Sequence, residues 1–289
     1  MKLRFINKVV IVLSVWSCST TANSTIVSEK RSQRPDNPTT SSTMNATVPA
    51  DSADLTIRCA VGMRQVMLDL VPKFEKATNY RVAITFNSSG EIVKGVDSNK
   101  TVDIVIIFRS ALEHLVAAKK VVEGSLTNIA MARVGVAVLK GAAKPDISSP
   151  TAFKQAMLDA KSIACPDPAR GGASGEYLAR MFEGLGIGEA IKSRLVLSDS
   201  PENEKAMPGY LVATGKAEIA LHQMQELLAV PGIDIVGPLP VEIQTTFIFT
   251  AAITTNSKQA EVANALIRFL CTPDAKNTIK IKGMEPVGQ

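Results

Sequence analysis

The chain has 289 residues, 46% hydrophobic, 20% charged and 4% aromatic, with a formal net charge of +5. Those values suit a soluble globular protein, and no apolar run in the body approaches the length of a membrane span. Clustered Lys and Arg interleaved with stacking aromatics are absent, so nucleic acid is excluded as an expected partner.

The amino terminus departs from this pattern. MKLRFINKVVIVLSVWSC places Lys2, Arg4 and Lys8 ahead of a short apolar run, Val9 to Trp16, followed by Ser17 and Cys18. Basic start, short apolar centre and small residues describe a secretory signal, too short for a spanning helix. Val15-Trp16-Ser17-Cys18 also resembles a lipobox, so either Cys18 becomes a lipidated first residue or cleavage falls near Ala22. From Ser19 to Ala53 the chain turns to Ser, Thr, Asn and Pro, lacks the apolar content to fold, and reads as a tether. The expected location is periplasmic or otherwise extracytoplasmic, with a lipid anchor as the one link to a membrane.

From Asp54 the chain alternates strand and helix. DLTIRCAV reads as a strand, MRQVMLDLVPKFEKAT as an amphipathic helix facing inward through Val66, Leu70 and Phe74, and YRVAITFN as a strand. SSGEIVKGVDSN is a short helix, TVDIVIIF an apolar strand opened by Asp103, SALEHLVAAKKV a helix and ARVGVAVLK a buried strand. A second series follows. SPTAFKQAMLDA is a helix with Ser149 as cap and Pro150 in its first turn. CPDPARGGASGEYLARMFEGLGI crosses two prolines and a bare Gly/Ser stretch into another helix. That stretch is either a plain turn or a helix start whose N–H groups receive an anion. RLVLSD (strand), EKAMPGYLVATG (helix) and AEIALHQ (strand) come next, and TTFIFTAAITT plus two closing helical segments complete the chain. Uniformly apolar strands alternating with helices imply parallel strands covered on both faces, and ligands in such sheets bind beyond the strand carboxyl ends.

In this order the segments DLTIRCAVGMRQVMLDL, FNSSGEI, TVDIVII, MARVGVAVLKG, CPDPARGGASGEYLARMFEGLGI and LVATGKAEIALHQMQELLAVPGIDIVGPLP resemble the periplasmic solute-binding proteins of the molybdate-binding type, over residues 54–286. The resemblance implies an α/β, two-lobed periplasmic binding protein-like fold (type II), each lobe a mostly parallel sheet flanked by helices. It implies a monomeric receptor for a small anionic ligand, closing by a hinge and delivering its guest to an ABC permease. The expected organisation is a signal over residues 1–22, a tether over 23–53, one lobe from 54–137 plus 238–289, and a second from 138–237.

The same resemblance places ligand contacts at Gly62, where the family has a serine, at Ser88 and Ser89, at Ala173, Ser174 and Gly175, near Lys205, and at Gln223, where the family has a tyrosine. Arg64, Arg109, Arg170 and His222 sit near expected strand-end loops and form a candidate anion clamp, because a guanidinium fork matches carboxylate oxygens in pairs. Organic carboxylates therefore stay open beside molybdate-like oxyanions. Each residue also has a bland reading: Ser88 and Ser89 as helix caps, Arg109 and Lys205 as solvated charges, His222 as a satisfied structural residue. Cys59 and Cys271 could pair if their elements meet, but buried free thiols are expected. No HExxH, GxSxG, P-loop or Rossmann signature is present, and no cofactor or metal is expected. An isomerase of an unsaturated tricarboxylate of the aconitate type on the same fold is the alternative, needing one base and a carboxylate clamp.

Overall fold

A computed structural model describes residues 53–98, 101–170, 172–198 and 203–287. The expected signal, the tether and Cys18 lie outside the described residues.

The first half runs β1 (Leu55–Ala60), a 3-10 turn (Val61–Met63), α1 (Arg64–Thr78), β2 (Val82–Asn87), α2 (Ser89–Asp97), β3 (Ile104–Phe108) and α3 (Arg109–Ala117). It continues through β4 (Thr127–Leu139), α4 (Pro150–Asp159), β5 (Ile163–Pro166), α5 (Ala173–Gly184), α6 (Gly188–Ile191) and β6 (Leu195–Ser198). The remainder is α7 (Pro208–Ala213), β7 (Ile219–Gln223), α8 (Met224–Leu228), β8 (Ile233–Pro238), β9 (Thr246–Ile253), α9 (Ala260–Leu270), α10 (Pro273–Ile281) and β10 (Glu285–Pro286). No helix among the described residues is long and apolar enough to cross a membrane.

The strands join in the order β2-β1-β3-β9-β4-β7-β5-β6, with β8 and β10 also on β4. The fold is the two-lobed α/β type, and each lobe is built on three parallel strands. β2, β1 and β3 are parallel in one half-sheet, and β6, β5 and β7 in the other. The long β4 belongs to both. It runs antiparallel to β9 as far as the pair Arg133–Thr246 and to β7 from the pair Val134–Gln223 onward. At this switch the Gln244 carboxamide takes the place of a strand: its Oε1 accepts from Val134 N at 3.0 Å and its Nε2 donates to Val134 O at 2.8 Å. Val134 O also accepts from Leu239 N at 3.1 Å, so the carboxamide's particular service is to the Val134 N–H where pairing with β9 ends and pairing with β8 begins.

The reason for each half-sheet is burial. All five residues of β3 and of β7 are buried, as a parallel strand covered on both faces requires. α1 lays Val66, Leu70 and Phe74 against the sheet. Helices cover the opposite faces through Ile92, Leu112 and Leu115 in one half and Leu211, Val212 and Leu227 in the other. Asp103 ties β1 to β3: its carboxylate accepts from Thr56 N at 2.8 Å, Thr56 Oγ1 at 2.7 Å and Ser257 Oγ at 2.7 Å.

Several elements differ from the sequence reading. β4 begins five residues before Ala132, because Thr127 to Met131 pair with β9. EKAMPGYLVATG is not one helix: Met207, forced extended before a proline at ψ 151°, separates a 3-10 turn from α7, which starts on Pro208. α3 stops at Ala117, and Lys119 at φ 54° turns the chain away. Cys59, Cys165 and Cys271 are all free thiols, the first two buried and Cys271 only half-buried.

Candidate functional site

The carboxyl ends of β1, β2 and β3 lie side by side, since Ala60 pairs with Asn87 and Cys59 with Ile106. The residues that follow, Gly62, Ser88, Ser89 and Arg109, therefore emerge along one edge. In the other half-sheet Pro166 pairs with Ser198, and β7 runs beside β5, so Ser174 and Gln223 emerge along the corresponding edge. Strand ends of this kind are where α/β sheets bind ligands.

The two edges meet. Gln223 Nε2 donates to Ser174 Oγ at 2.7 Å, Gln225 Nε2 donates to Gln223 Oε1 at 2.7 Å, and Gln225 Nε2 reaches Gly62 O at 3.2 Å. Ser174, Gln223 and Gln225 are all buried, and Gln225 Oε1 has no hydrogen-bond partner among the described residues. Gly62 is closely hemmed: a Cβ there would stand 2.7 Å from Phe249 Cζ and 3.2 Å from both Gln223 Oε1 and Gln225 Nε2. Below the junction an aromatic row joins the halves. Phe108 packs tilted against Phe249 at 4.6 Å and Phe247 at 5.3 Å, and Tyr177 of α5 meets Phe247 edge-on at 5.9 Å. The Tyr177 hydroxyl donates to Ile243 O, and burial pushes its pKa up to about 12.

The other sequence-derived residues fall as follows. Ser88 caps α2 by accepting from Glu91 N at 3.3 Å, and the buried Ser89 Oγ accepts from Phe108 N at 3.4 Å. Both hydroxyls act as acceptors, and each keeps an O–H that can donate. Ala173 is the first residue of α5 and is half-buried. Gly175 is accounted for by packing: a Cβ there would sit 2.9 Å from Pro166 O and 3.0 Å from Asp167 and Pro168 backbone atoms. The bare Gly/Ser start of α5 thus fits the strand-to-helix turn first, whatever else it receives.

The basic residues divide. Arg64 opens α1 and lies over the Phe86 ring at 5.0 Å, half-buried beside Gly62. Arg109 is exposed, and its Nη1 reaches Asn128 Oδ1 at 3.4 Å, across the sheet edge. Arg170 is exposed and 4.0 Å from Asp167. Lys205 is exposed in the 3-10 turn before α7, where its backbone N–H donates to Asn203 Oδ1 at 3.1 Å. His222 is buried and pairs through Nδ1 with Glu226 Oε2 at 2.9 Å, with side chains 9% and 12% exposed.

Sequence reading missed Gln225 and Glu226. The available signal was HQMQE, a His and a Glu four apart, but the i,i+4 rule belongs to one helix, and here the pair spans the junction of β7 and α8. Among the described residues no group of three or more His, Cys, Asp or Glu could hold a metal ion. A cavity of about 460 Å3 lies elsewhere, beyond the amino end of β7 and lined by Glu218, Ile219 and α4.

The family model for bacterial extracellular solute-binding proteins matches residues 55–285. An aconitate isomerase from Pseudomonas sp is 33% identical over 241 residues, covering 81% of this chain and 88% of that protein. The molybdate-binding protein ModA of Azotobacter vinelandii is 29% identical over 243 residues, covering 81% and 90%. A solved periplasmic molybdate-binding protein of Azotobacter vinelandii superposes with a TM-score of 0.67 at 18% identity, covering 81% of this chain and all of that one (100%). The chain belongs to the bacterial extracellular solute-binding proteins, a family whose members bind their solutes outside the cytoplasm.

Proposed function

We propose that the chain is an extracytoplasmic receptor that closes its two lobes on one small anion and delivers it to an ABC transporter. The observation that carries this reading is the hydrogen-bonded run Gly62–Gln225–Gln223–Ser174, which crosses from one half-sheet to the other at the strand ends. The lobes are 54–137 plus 238–289 and 138–237, joined by β4 and by the return through β8 and β9. Ser88, Ser89, Ser174 and the α2 and α5 amides supply neutral donors, and helix starts favour negative charge. Arg64 adds a guanidinium on the same side, suited to a carboxylate. Gly62 favours the same choice, because the packing around it has no room for the serine of a molybdate-binding site. We read the guest as a small organic carboxylate in preference to a molybdate-like oxyanion.

A thermal-shift panel tests this. Purified protein is heated with molybdate, sulfate, malonate, citrate and both aconitate isomers. A guest at 100 times its Kd adds about 2.7 kcal/mol to stability. Stabilisation by a di- or tricarboxylate and none by molybdate is the expected result; stabilisation by molybdate alone contradicts the choice of guest.

A second reading is turnover of an unsaturated tricarboxylate. It is favoured by the 33% identity to an aconitate isomerase and by the shielded His222–Glu226 pair, which solute capture does not require.

A further inference from the structure

We propose that Glu226, positioned by His222, is the base of a proton-transfer site in the cavity between α1 and the α7–α8 pair, acting on an unsaturated polycarboxylate. This inference rests on the turnover reading above. The cavity, about 40 Å3, is walled by Val61, Arg64 and Gln65 from one half and by Met207, Tyr210 and Glu226 from the other. It adjoins the cleft, because Val61 precedes Gly62 and Glu226 follows Gln225 in the chain. The volume suits one carboxylate group and not a whole polycarboxylate, so the rest of the substrate extends toward Gly62 and Ser174.

The lining supplies what such chemistry needs. Arg64 and Tyr210 line the cavity, and a guanidinium and a phenol are donor types that suit a substrate carboxylate. Glu226 Oε2 is engaged by His222 Nδ1 at 2.9 Å, which fixes the carboxylate, and Oε1 is the oxygen assigned to the substrate. His222 does not line the cavity and acts through Glu226, as a positioning residue.

The step balances within the substrate. Glu226 takes a proton from a methylene carbon that lies between a carboxylate and a double bond. The C–H electron pair moves into the conjugated system, and the double bond shifts by one position. The Glu226 carboxyl, after exchanging its acidic proton with solvent, then delivers a proton to the far carbon of the three-carbon unit, regenerating the carboxylate; one proton leaves carbon and one returns to it. No oxidant, reductant or co-substrate is consumed.

The test uses the whole folded protein with cis- and trans-aconitate in deuterium oxide, followed by NMR for isomer interconversion and for deuterium at carbon. Wild type is expected to do both. Glu226→Gln should lose at least about 100-fold in both rates, the scale of general-base catalysis, while the aconitate-induced rise in melting temperature persists. His222→Gln should lower kcat with KM unchanged, a split that a merely structural role does not produce. Turnover by Glu226→Gln equal to wild type overturns the base assignment and leaves the turnover reading standing. Wild type that binds aconitate without exchange, or fails to bind it, overturns both.

Discussion

Replacing Gly62 by serine gives the first half-site the hydroxyl that the molybdate-binding pattern carries there, and it should weaken binding. The new Cβ would stand 2.7 Å from Phe249 Cζ, whereas carbon atoms rest about 3.5–4.0 Å apart, so the ring or the loop must move by about 1 Å. Phe249 is fully buried and packed at a tilt against Phe108 at 4.6 Å, so it has little space to yield. The other neighbours, Gln223 and Gln225, lie on the opposite half-sheet, and the remaining relief is to part the lobes. Overpacking of this degree costs about 1–3 kcal/mol. At about 1.4 kcal/mol per tenfold, that is a loss of about 5- to 150-fold in affinity if the strain falls on the closed state. If it falls on the fold instead, the melting temperature drops by about 2–4 °C per kcal/mol. Titration calorimetry with the stabilising guest and a melting curve for Gly62→Ala and Gly62→Ser separate the two. The serine variant should bind no better than the alanine variant. A Gly62→Ser protein that binds more tightly than wild type at unchanged stability refutes the packing reasoning.

Arg64→Ala should weaken a carboxylate guest more than tenfold, whereas Arg109→Ala, whose side chain reaches Asn128, should change affinity less than about twofold; calorimetry decides. Gln244→Ala removes the carboxamide's two hydrogen bonds to Val134, leaves Val134 O with Leu239 N, and should cost about 1–2 kcal/mol in denaturant unfolding, with faster amide exchange at Val134. Asp103→Ala strands the donors Thr56 N, Thr56 Oγ1 and Ser257 Oγ and should destabilise by about 3 kcal/mol, read from the denaturation midpoint. Burial pushes the Cys165 thiol up from 9.0 to about 12. The folded state therefore holds that proton more tightly, and its stabilising contribution is complete below pH 9.0 and lost as pH rises toward 12. Thiol titration should accordingly find Cys271 reacting first and Cys59 and Cys165 protected until unfolding.

Much of this architecture was legible in residue pattern. IVIIF of β3 is apolar throughout because the strand is covered on both faces, and Ser149-Pro150 opens α4 as cap and first-turn proline, with Ser149 Oγ accepting from Ala152 N at 3.2 Å. Strand–helix order then put Gly62, Ser89, Ser174 and Gln223 at strand ends. The early start of β4 was hidden, because the polar Thr127 and Asn128 interrupt the apolar pattern although they pair with Ala251 and Thr250 of β9. Glu226 was hidden for a different reason: its partner His222 sits on the far side of a strand-to-helix turn, where neither the two-residue nor the 3.6-residue period applies. The charges were the least legible. Arg64 shares the neighbourhood of Gly62, whereas Arg170 and Lys205 point to solvent, and alternation in sequence cannot tell a guanidinium aimed into a cleft from one aimed out of it.

The claim that one guest is held between the lobes by hydroxyls from both is tested most directly by Ser89→Ala, Ser174→Ala and the double variant in titration calorimetry. Each single change should weaken the guest by about tenfold, and the double variant should fall further, with each protein still melting cooperatively. Unchanged affinity in a folded double variant would contradict the account.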